Sequence, residues 1–147
     1  MSFKNIKIGL YFLTALLILS CASKSKTGNN KPLYEILTQQ EDGGATIRFF
    51  EILNESKEIK MLLNDGNLRK KISQEDIQSC NFIILNAGEK KSYGYSIIIK
   101  SIKETTDKII IQTEEVITKE STVLPEEEYV YPYTIVKINS KKELEIN

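Results

Sequence analysis

The sequence predicts an α+β domain, mostly antiparallel, in which about six strands form a twisted sheet, a half-open barrel or a sandwich beside one short helix. Short apolar segments are separated by turn residues along most of the chain. Apolar residues recur at helical spacing in one place, after Asn54. The second half of the chain is strand-like throughout, which is typical of an antiparallel arrangement with a segregated helix.

The first half predicts a hairpin followed by the helix. Residues 33–37 and 46–53 are strand-like, and the turn signal at 41–44 predicts that they pair with each other. Asn54 or Ser56 is the expected N-cap of the helix. Its apolar face would contain Ile59, Leu62 and Leu63, and residues 64–66 would end it. The polar stretch 66–76 is predicted to be irregular.

The second half predicts four further strands. The apolar run NFIILN at 81–86 is typical of a buried strand. Residues 95–102 and 109–113 are expected to pair across a turn at 105–108. The last strand is predicted at 128–138, and Pro132 within it indicates an edge strand or a bulge, because proline cannot donate to a sheet ladder.

The N-terminus predicts an exported, lipid-anchored protein. Lys4 and Lys7 precede an apolar stretch at 8–19, and the following segment Ile18-Leu19-Ser20-Cys21 resembles a bacterial lipobox. The expected organisation is a lipoprotein signal peptide at 1–20, a flexible tether at 21–31 and one domain at 32–147. Cys21 would carry the lipid, such as palmitate, and hold the protein at the bacterial cell envelope, on the outer membrane or cell surface. A plain signal peptide and an uncleaved anchor are the alternatives.

Charge and cysteine count exclude several classes of protein. The chain has 20 basic and 20 acidic residues, and removal of Lys4 and Lys7 with the signal peptide leaves 18 against 20. A nearly neutral chain with interspersed charges does not favour a nucleic-acid partner. With Cys21 acylated, Cys80 has no partner for a disulfide. Its position two residues before Phe82, on the same side of an extended segment, predicts a buried, unreactive thiol.

The residues for common catalytic chemistries are missing from the sequence. There is no histidine, which excludes His-based zinc sites and Ser-His or Cys-His triads. Residues 114–115 and 126–128 are acidic clusters, but neighbours on a strand point to opposite faces and make poor acid–base pairs. The clusters also lack the spacing of a calcium loop. We therefore predict a protein that is not an enzyme and needs no metal or cofactor.

Tyrosines and lysines near position 90 are candidate contacts with a partner. Tyr93 follows Lys90, Lys91 and Ser92 in the segment GEKKSYGYSI at 88–97. Exposed tyrosine beside cationic side chains is typical of protein interfaces. Tyr129, Tyr131 and Tyr133 alternate along the predicted last strand and would share one face, which is more often part of a core than an interface.

These segments carry a resemblance to a known family. The pattern runs Gly88-x-Lys90-x-Ser92-x-Gly94-Tyr95-Ser96-Ile97-x-Ile99, then Ile109-x-Ile111, then Tyr131-Pro132-Tyr133-x-Ile135-Val136-x-Ile138. It resembles the C-terminal domain family of PrcB, an accessory lipoprotein of a surface protease complex. Tyr93 stands where the family has the first of two glycines, and Lys91 stands where proline is frequent.

The resemblance implies a non-catalytic lipoprotein that binds and stabilises or positions an extracytoplasmic protein, such as a component of a surface protease complex. The candidate contact residues are Lys90, Lys91, Ser92 and Tyr93, joined by Pro132 and Tyr133 if the last strand borders the strand that the loop enters. Gly88, Gly94 and Tyr95 are expected to be structural. Two alternatives remain open: a small protease inhibitor, or an envelope protein that binds a glycan or small ligand through its tyrosines.

Overall fold

The computed structural model describes residues 31–118 and 122–147. The predicted signal peptide, Cys21 and nearly all of the predicted tether lie outside these residues. Within them the chain forms seven strands and three short helices. In chain order they are β1 (Tyr34–Gln40), β2 (Phe49–Leu53), α1 (Ser56–Leu62), α2 (Gly66–Arg69), α3 (Gln74–Ser79), β3 (Asn81–Asn86), β4 (Tyr95–Glu104), β5 (Lys108–Ile117), β6 (Tyr133–Ile138) and β7 (Glu143–Ile146).

The strands form two sheets that pack against each other. The first sheet has the order β1-β6-β3-β2 and the second has the order β4-β5-β7. All neighbours in the first sheet are antiparallel, as are β4 and β5, while β5 and β7 are parallel. The prediction of a mostly antiparallel α+β fold is confirmed. Of the arrangements predicted, the sandwich describes it best.

The four-stranded sheet is buried on both faces. Phe82 and Ile135 pack with the helices in one hydrophobic core. Ile83 and Val136, their neighbours in β3 and β6, pack against the second sheet in the other core. Successive side chains of a strand point to opposite faces, so a strand between two layers must be apolar on both. This explains the unbroken apolar run of β3, whose prediction as a buried strand is confirmed.

Three helices cover one face of that sheet, where the sequence predicted one. α1 buries Ile59 and Leu62 as expected, but its N-cap is Glu55, not Asn54 or Ser56. The Glu58 carboxylate accepts a hydrogen bond from the Glu55 backbone N–H at 3.2 Å. The Glu55 and Glu58 side chains form a reciprocal capping box. Such a box satisfies backbone N–H donors that have no partner within the first helical turn.

The prediction that residues 66–76 are irregular is wrong. The Asp65 side chain accepts from the backbone N–H groups of Asn67 and Leu68 and so caps α2. Ser73 caps α3, in a reciprocal arrangement with Asp76. A serine three residues before an acidic residue is the sequence signature of such a start, and this signal was available in the polar stretch. The short helices were missed because each contributes few apolar residues.

The predicted hairpin of the first two strands is also wrong. β1 pairs with β6 and β2 pairs with β3, at opposite edges of the sheet. Residues 41–44 do turn the chain, but they contact Tyr131 instead of joining β1 to β2 in a hairpin. The Tyr131 N–H donates to the Asp42 carboxylate at 3.0 Å, and the Tyr131 carbonyl accepts from the Gly44 N–H at 2.8 Å. The more apolar strands β3 and β6 occupy the doubly buried centre, so β1 and β2 take the edges.

The C-terminal part of the chain differs from the prediction in three ways. β6 begins at Tyr133, so Tyr129 and Tyr131 do not share a strand face with it. Pro132 precedes a central strand instead of marking an edge or a bulge, and its carbonyl accepts from Ala87 N–H at 2.9 Å. β7 was not predicted; its four residues are too few for a clear pattern. The predicted pairing of β4 with β5 across the turn at 105–108 is confirmed.

A buried ion pair joins β6 to the helical layer. The Lys137 ammonium lies 3.0 Å from Glu35 and 3.5 Å from Asp76, and both Lys137 and Asp76 are nearly inaccessible to solvent. Burial opposes ionisation of Asp76, but hydrogen bonds from Ser73 and the charge of Lys137 outweigh it and hold the pKa of this carboxyl below its ordinary 3.8. Asp76 therefore caps α3 and neutralises Lys137 at once.

Cys80 follows α3 and is buried, as the sequence predicted. It is a free thiol. Burial, together with the nearby Asp76 carboxylate, raises the pKa of the Cys80 thiol above its ordinary value. The thiol therefore stays protonated near neutral pH, where only the thiolate would be a good nucleophile.

We expect Asp76→Ala to lower the free energy of unfolding by about 3 kcal/mol, because it leaves Lys137 short of a partner and removes a cap. Since the folded pKa of Asp76 is depressed, its contribution is present above the unfolded pKa and is lost as the pH falls through the folded value. Urea unfolding at about pH 6 and about pH 3 measures both effects, with a smaller pH dependence in the variant than in wild type.

Glu75→Ala is the matched control, since Glu75 lies in the same turn but is exposed. It should change stability by no more than about 0.5 kcal/mol. Equal losses in the two variants would contradict a structural role for the buried pair.

Candidate functional site

The segment of residues 88–94, here called the 88–94 loop, connects β3 to β4 and is held by backbone hydrogen bonds along its length. Lys90 exchanges two bonds with Val130, at 2.9 and 3.0 Å. The Lys91 carbonyl accepts from Leu124 N–H at 3.0 Å, and Tyr93 N–H donates to the Thr122 carbonyl at 2.9 Å. The loop is therefore anchored to the segment before β6, which fixes its shape before any partner binds.

Two glycines set the path of this loop. Gly88 has φ +77° and Gly94 has φ +89°, in the left-handed region that favours glycine. A Cβ atom on Gly88 would lie 2.9 Å from the backbone nitrogen of Arg48, so the residue also permits a close approach of two chain segments. Gly88 and Gly94 therefore each adopt a backbone conformation that side-chain-bearing residues rarely take up.

Lys90 is engaged within the protein. Its ammonium lies 2.8 Å from the Glu115 carboxylate and 5.3 Å from the centre of the Tyr95 ring. Arg48 approaches the other Glu115 oxygen at 3.0 Å and stacks on Phe50 at 4.8 Å. The Lys90 side chain is 19% exposed. Its charge is thus largely satisfied, and Tyr95 lies beneath it as a structural element.

The remaining loop residues face solvent to a greater degree. Lys91 is exposed, with its ammonium 5.1 Å from the centre of the Tyr129 ring. Ser92 is half-buried and forms a single bridge with Val123. The Tyr93 side chain is 42% exposed, which is high for an aromatic residue in a well-connected loop. Lys91 and Tyr93 are therefore the loop side chains that a partner can reach.

Pro132 and Tyr133 lie beside the start of the loop, although β6 pairs with β3 and not, as the prediction required, with β4, the strand that the loop enters. Pro132 is buried, and its carbonyl binds Ala87, the residue before the loop. Tyr133 is half-buried and packs against the core beneath the helices. It also borders a polar cavity of about 280 Å³ that Asp42 and Asp65 line. The six predicted contact residues thus lie in one region of the structure. Two of them, Lys91 and Tyr93, are well exposed.

Exposed apolar side chains concentrate around the loop. Of the large hydrophobic side chains that are exposed in the described residues, most belong to the loop or to segments next to it: Ile47, Phe49, Tyr93, Ile117 and Val123. The backbone connects these segments directly, since Thr46 accepts from Glu89, Thr118 donates to Gly94, and Val123 pairs with Ser92. We call these five residues the exposed apolar group. Sequence reasoning missed it, because its members come from four separate segments.

The neighbouring acidic residues do not form a catalytic pair. Glu114 lies 3.1 Å from Lys100, while Glu115 lies against Lys90 and Arg48, as expected for neighbours that point to opposite faces. Across residues 31–118 and 122–147, no three His, Cys, Asp or Glu side chains lie close enough together to hold a metal ion. In the same part of the chain, none of the helices has the length and apolar character that crossing a membrane requires.

Fold and site together define an α+β two-sheet domain with a fixed, partly apolar loop surface. Residues 81–139 match the family model described as PrcB C-terminal. The predicted resemblance to this family is confirmed over this segment, which is less than half of the chain. The match runs from β3 to the end of β6 and includes the whole 88–94 loop. No curated protein and no solved structure matches the chain significantly.

We expect Gly88→Ala to destabilise the protein by about 2 kcal/mol or more, because it combines a positive φ with a steric conflict at Arg48. Gly66→Ala is the matched control. A Cβ atom there meets nothing within 4 Å, and Gly66 is helical, so this change should raise stability by about 0.5 to 1 kcal/mol. Thermal or urea unfolding measures both. A neutral result for Gly88→Ala would show that the loop has another conformation.

Proposed function

We propose that this chain is a non-catalytic accessory subunit that binds an extracytoplasmic protein through the exposed apolar group and the 88–94 loop. The partner we propose is a component of a surface protease complex, because the PrcB family takes its name from a subunit of such a complex. A shared domain supports the class of function more strongly than the identity of the partner.

One observation carries the proposal: exposed apolar side chains gather around a loop that hydrogen bonds already hold in place. An exposed apolar group of this kind indicates a protein interaction site more than a solvated surface. Tyr93 is an anchor residue of the type that dominates interface energetics. Because the loop backbone is fixed, less conformational entropy is lost on binding than for a flexible segment.

Charge adds a second element to the proposed surface. Lys91 is exposed, and its ammonium lies on the face of Tyr129, whereas Lys90 and Arg48 share Glu115. An accessible cation at the rim of an apolar surface steers and selects partners more than it strengthens binding. The partner is therefore expected to place an acidic group near Lys91.

The proposed anchor is a lipid on Cys21, with the polar residues 22–31 as tether. This part of the proposal rests on the sequence alone, since Cys21 lies outside the described residues. Each buried methylene of an acyl chain contributes roughly 0.8 kcal/mol, so several chains would hold the protein at the envelope. A tethered subunit would meet its membrane-associated partner at a raised effective concentration.

Metabolic labelling with palmitate should mark the wild-type protein, and Cys21→Ser should abolish the label. Cys80→Ser is the matched control, because Cys80 is the second of the two cysteines and is buried. It should retain the label. Labelling that survives Cys21→Ser, or that disappears with Cys80→Ser, would contradict anchoring through Cys21.

The interaction surface is tested by crosslinked affinity purification from native envelopes. We expect a protease or another large surface protein to be recovered with wild type. The double variant Lys91→Glu, Tyr93→Ser should lower its recovery by about tenfold, since it removes an anchor and reverses the rim charge. Lys90 is left intact because its pairing with Glu115 supports the fold.

Met61→Ser serves as the control variant for that experiment. Met61 is 67% exposed on α1, in the helical layer, so its loss removes an exposed apolar side chain of a different segment. Recovery should match wild type. Equal recovery of the partner with wild type, the double variant and Met61→Ser would show that the loop is structural only. The absence of any enriched protein in all three purifications would contradict the accessory-subunit function.

A further inference from the structure

β2 forms one edge of the four-stranded sheet and pairs on one side only, with β3. In an antiparallel ladder, successive residues direct their backbone groups alternately to one side of the strand and to the other. The Ala87 N–H donates to the residue before β6, so the backbone of Asn86 faces β2, where its partner in the register is Phe49. The backbone N–H and C=O groups of Phe50 and Ile52, which alternate with the paired residues of β2, therefore point away from the sheet.

These outward groups of Phe50 and Ile52 form no hydrogen bond with any residue of the part of the chain that the structure describes. The next outward carbonyl, that of Asn54, accepts from the Lys141 ammonium at 2.7 Å, so the open stretch of the edge ends there. A cleft of about 370 Å³ lies beside this stretch, lined by Ile52 and Asn54 and, across from them, by residues of β7. An added strand would therefore find both unpaired backbone groups and space next to β2.

The two longer edge strands of the molecule, β1 and β4, carry features that oppose the addition of a strand. β1 is interrupted by a bulge, and the Lys71 ammonium donates to its Leu37 carbonyl. β4 is also bulged, and the Thr134 hydroxyl donates to its Ile97 carbonyl. Bulges and engaged edge groups are common means by which proteins protect a sheet edge. β2, by contrast, keeps a regular register along its whole length.

The side chains of β2 indicate which residues an added strand would carry. Phe49 is exposed and belongs to the exposed apolar group, so an added strand would continue the proposed contact surface. Glu51 lies on the same face, is exposed, and forms no salt bridge with another described residue. Arg48, on the other face, shares Glu115 with a second cation and its side chain is 53% exposed. Cross-strand pairs of opposite charge or of apolar side chains stabilise a sheet, so an acidic residue fits opposite Arg48, an apolar one opposite Phe49 and a basic one opposite Glu51.

A second copy of β2 does not supply this pattern. Residues opposed in a continuous sheet lie on the same face, and a two-fold axis preserves the faces of each copy. Between Ile47 and Leu53, the face that carries Glu51 contains no cation and the face that carries Arg48 contains no carboxylate. Pairing of two copies would therefore leave both charges without an opposite charge, which favours a different chain as the occupant.

We propose that β2 receives an extended segment of the protein partner as an added antiparallel strand of the first sheet. The inference rests on the proposed function and adds the mode of binding and the chemistry of the partner segment: a basic residue, any residue, an apolar residue and an acidic residue, in that order. The antiparallel direction continues the pairing of the whole sheet. Backbone hydrogen bonds would provide affinity, and the alternating side chains would provide specificity.

Strand addition is tested by amide hydrogen exchange, followed by NMR, on the full chain in detergent micelles. The probe is the capped peptide acetyl-Thr-Lys-Thr-Val-Glu-Thr-amide. At a peptide concentration tenfold above the measured Kd, exchange at the Phe50 and Ile52 amides should slow by about tenfold, while Phe49 and Glu51, which face β3, stay protected throughout. No added protection at Phe50 and Ile52 would overturn the site. Protection that rises with the concentration of the chain alone would show that a second copy binds there and would overturn the proposed occupant.

Two altered peptides separate the backbone from the side chains. Methylation of the backbone nitrogen of the central threonine, the residue opposite Phe50, removes a donor and should weaken binding by about tenfold. Exchange of the lysine and the glutamate keeps the composition but places like charges opposite Glu51 and Arg48, and should weaken binding by about fivefold. Equal affinity of the methylated peptide would overturn strand pairing, and equal affinity of the exchanged peptide would overturn the proposed sequence of the segment.

The use of this edge by the partner is tested with Glu51→Lys in the affinity purification. The variant should lower recovery of the partner by about fivefold, because it places a cation opposite the basic residue of the segment. Glu75→Lys is the matched control, since Glu75 is an exposed carboxylate of α3, and it should recover the partner as wild type does. Recovery unchanged by Glu51→Lys but lowered by Lys91→Glu, Tyr93→Ser would overturn strand addition and leave the accessory-subunit function standing.

Discussion

Burial of the four-stranded sheet on both faces is the constraint on which the rest of the structure depends. A sheet covered by helices on one side and by strands on the other needs central strands that are largely apolar on both faces, and β3 and β6 meet that need. With these two strands in the centre, β1 and β2 must occupy the edges. The 88–94 loop then follows the C-terminal end of β3, and a cleft lined in part by Asn81 lies at its N-terminal end.

Polar groups inside this doubly buried sheet are tolerated only with partners. Thr134 donates to the Ile97 carbonyl at 2.6 Å and so connects the two sheets. Lys137 pairs with the carboxylates of Glu35 in β1 and Asp76 in α3. Asn86 satisfies three backbone groups of the segment before β2. Against this background the free oxygen of Asn81 is an exception that the fold does not require.

The two candidate surfaces differ in their physical character. Backbone hydrogen bonds hold the 88–94 loop in place, and exposed apolar side chains lie on it and beside it. This is the surface of the proposed contact with a protein partner. The cleft between β2 and β7 has a volume of about 370 Å³, and its lining includes Ile52, Asn81 and Leu144. β3 separates them by about 17 Å, the length of a strand of this size. A protein partner of ordinary interface dimensions, about 800 Å² on each side, can extend over such a distance.

The sequence by itself determined the features that depend on neighbours in the chain. These include the buried strand β3, the hairpin of β4 and β5 around residues 105–108, the glycine positions of the loop and the PrcB C-terminal pattern. Only the tertiary structure decided the pairing of β1 with β6, the parallel position of β7, the engagement of Lys90 by Glu115 and the burial of the unpaired Asn81 oxygen. Local patterns specify a strand or a turn, but pairing and satisfaction of polar groups depend on which distant segments share the two cores.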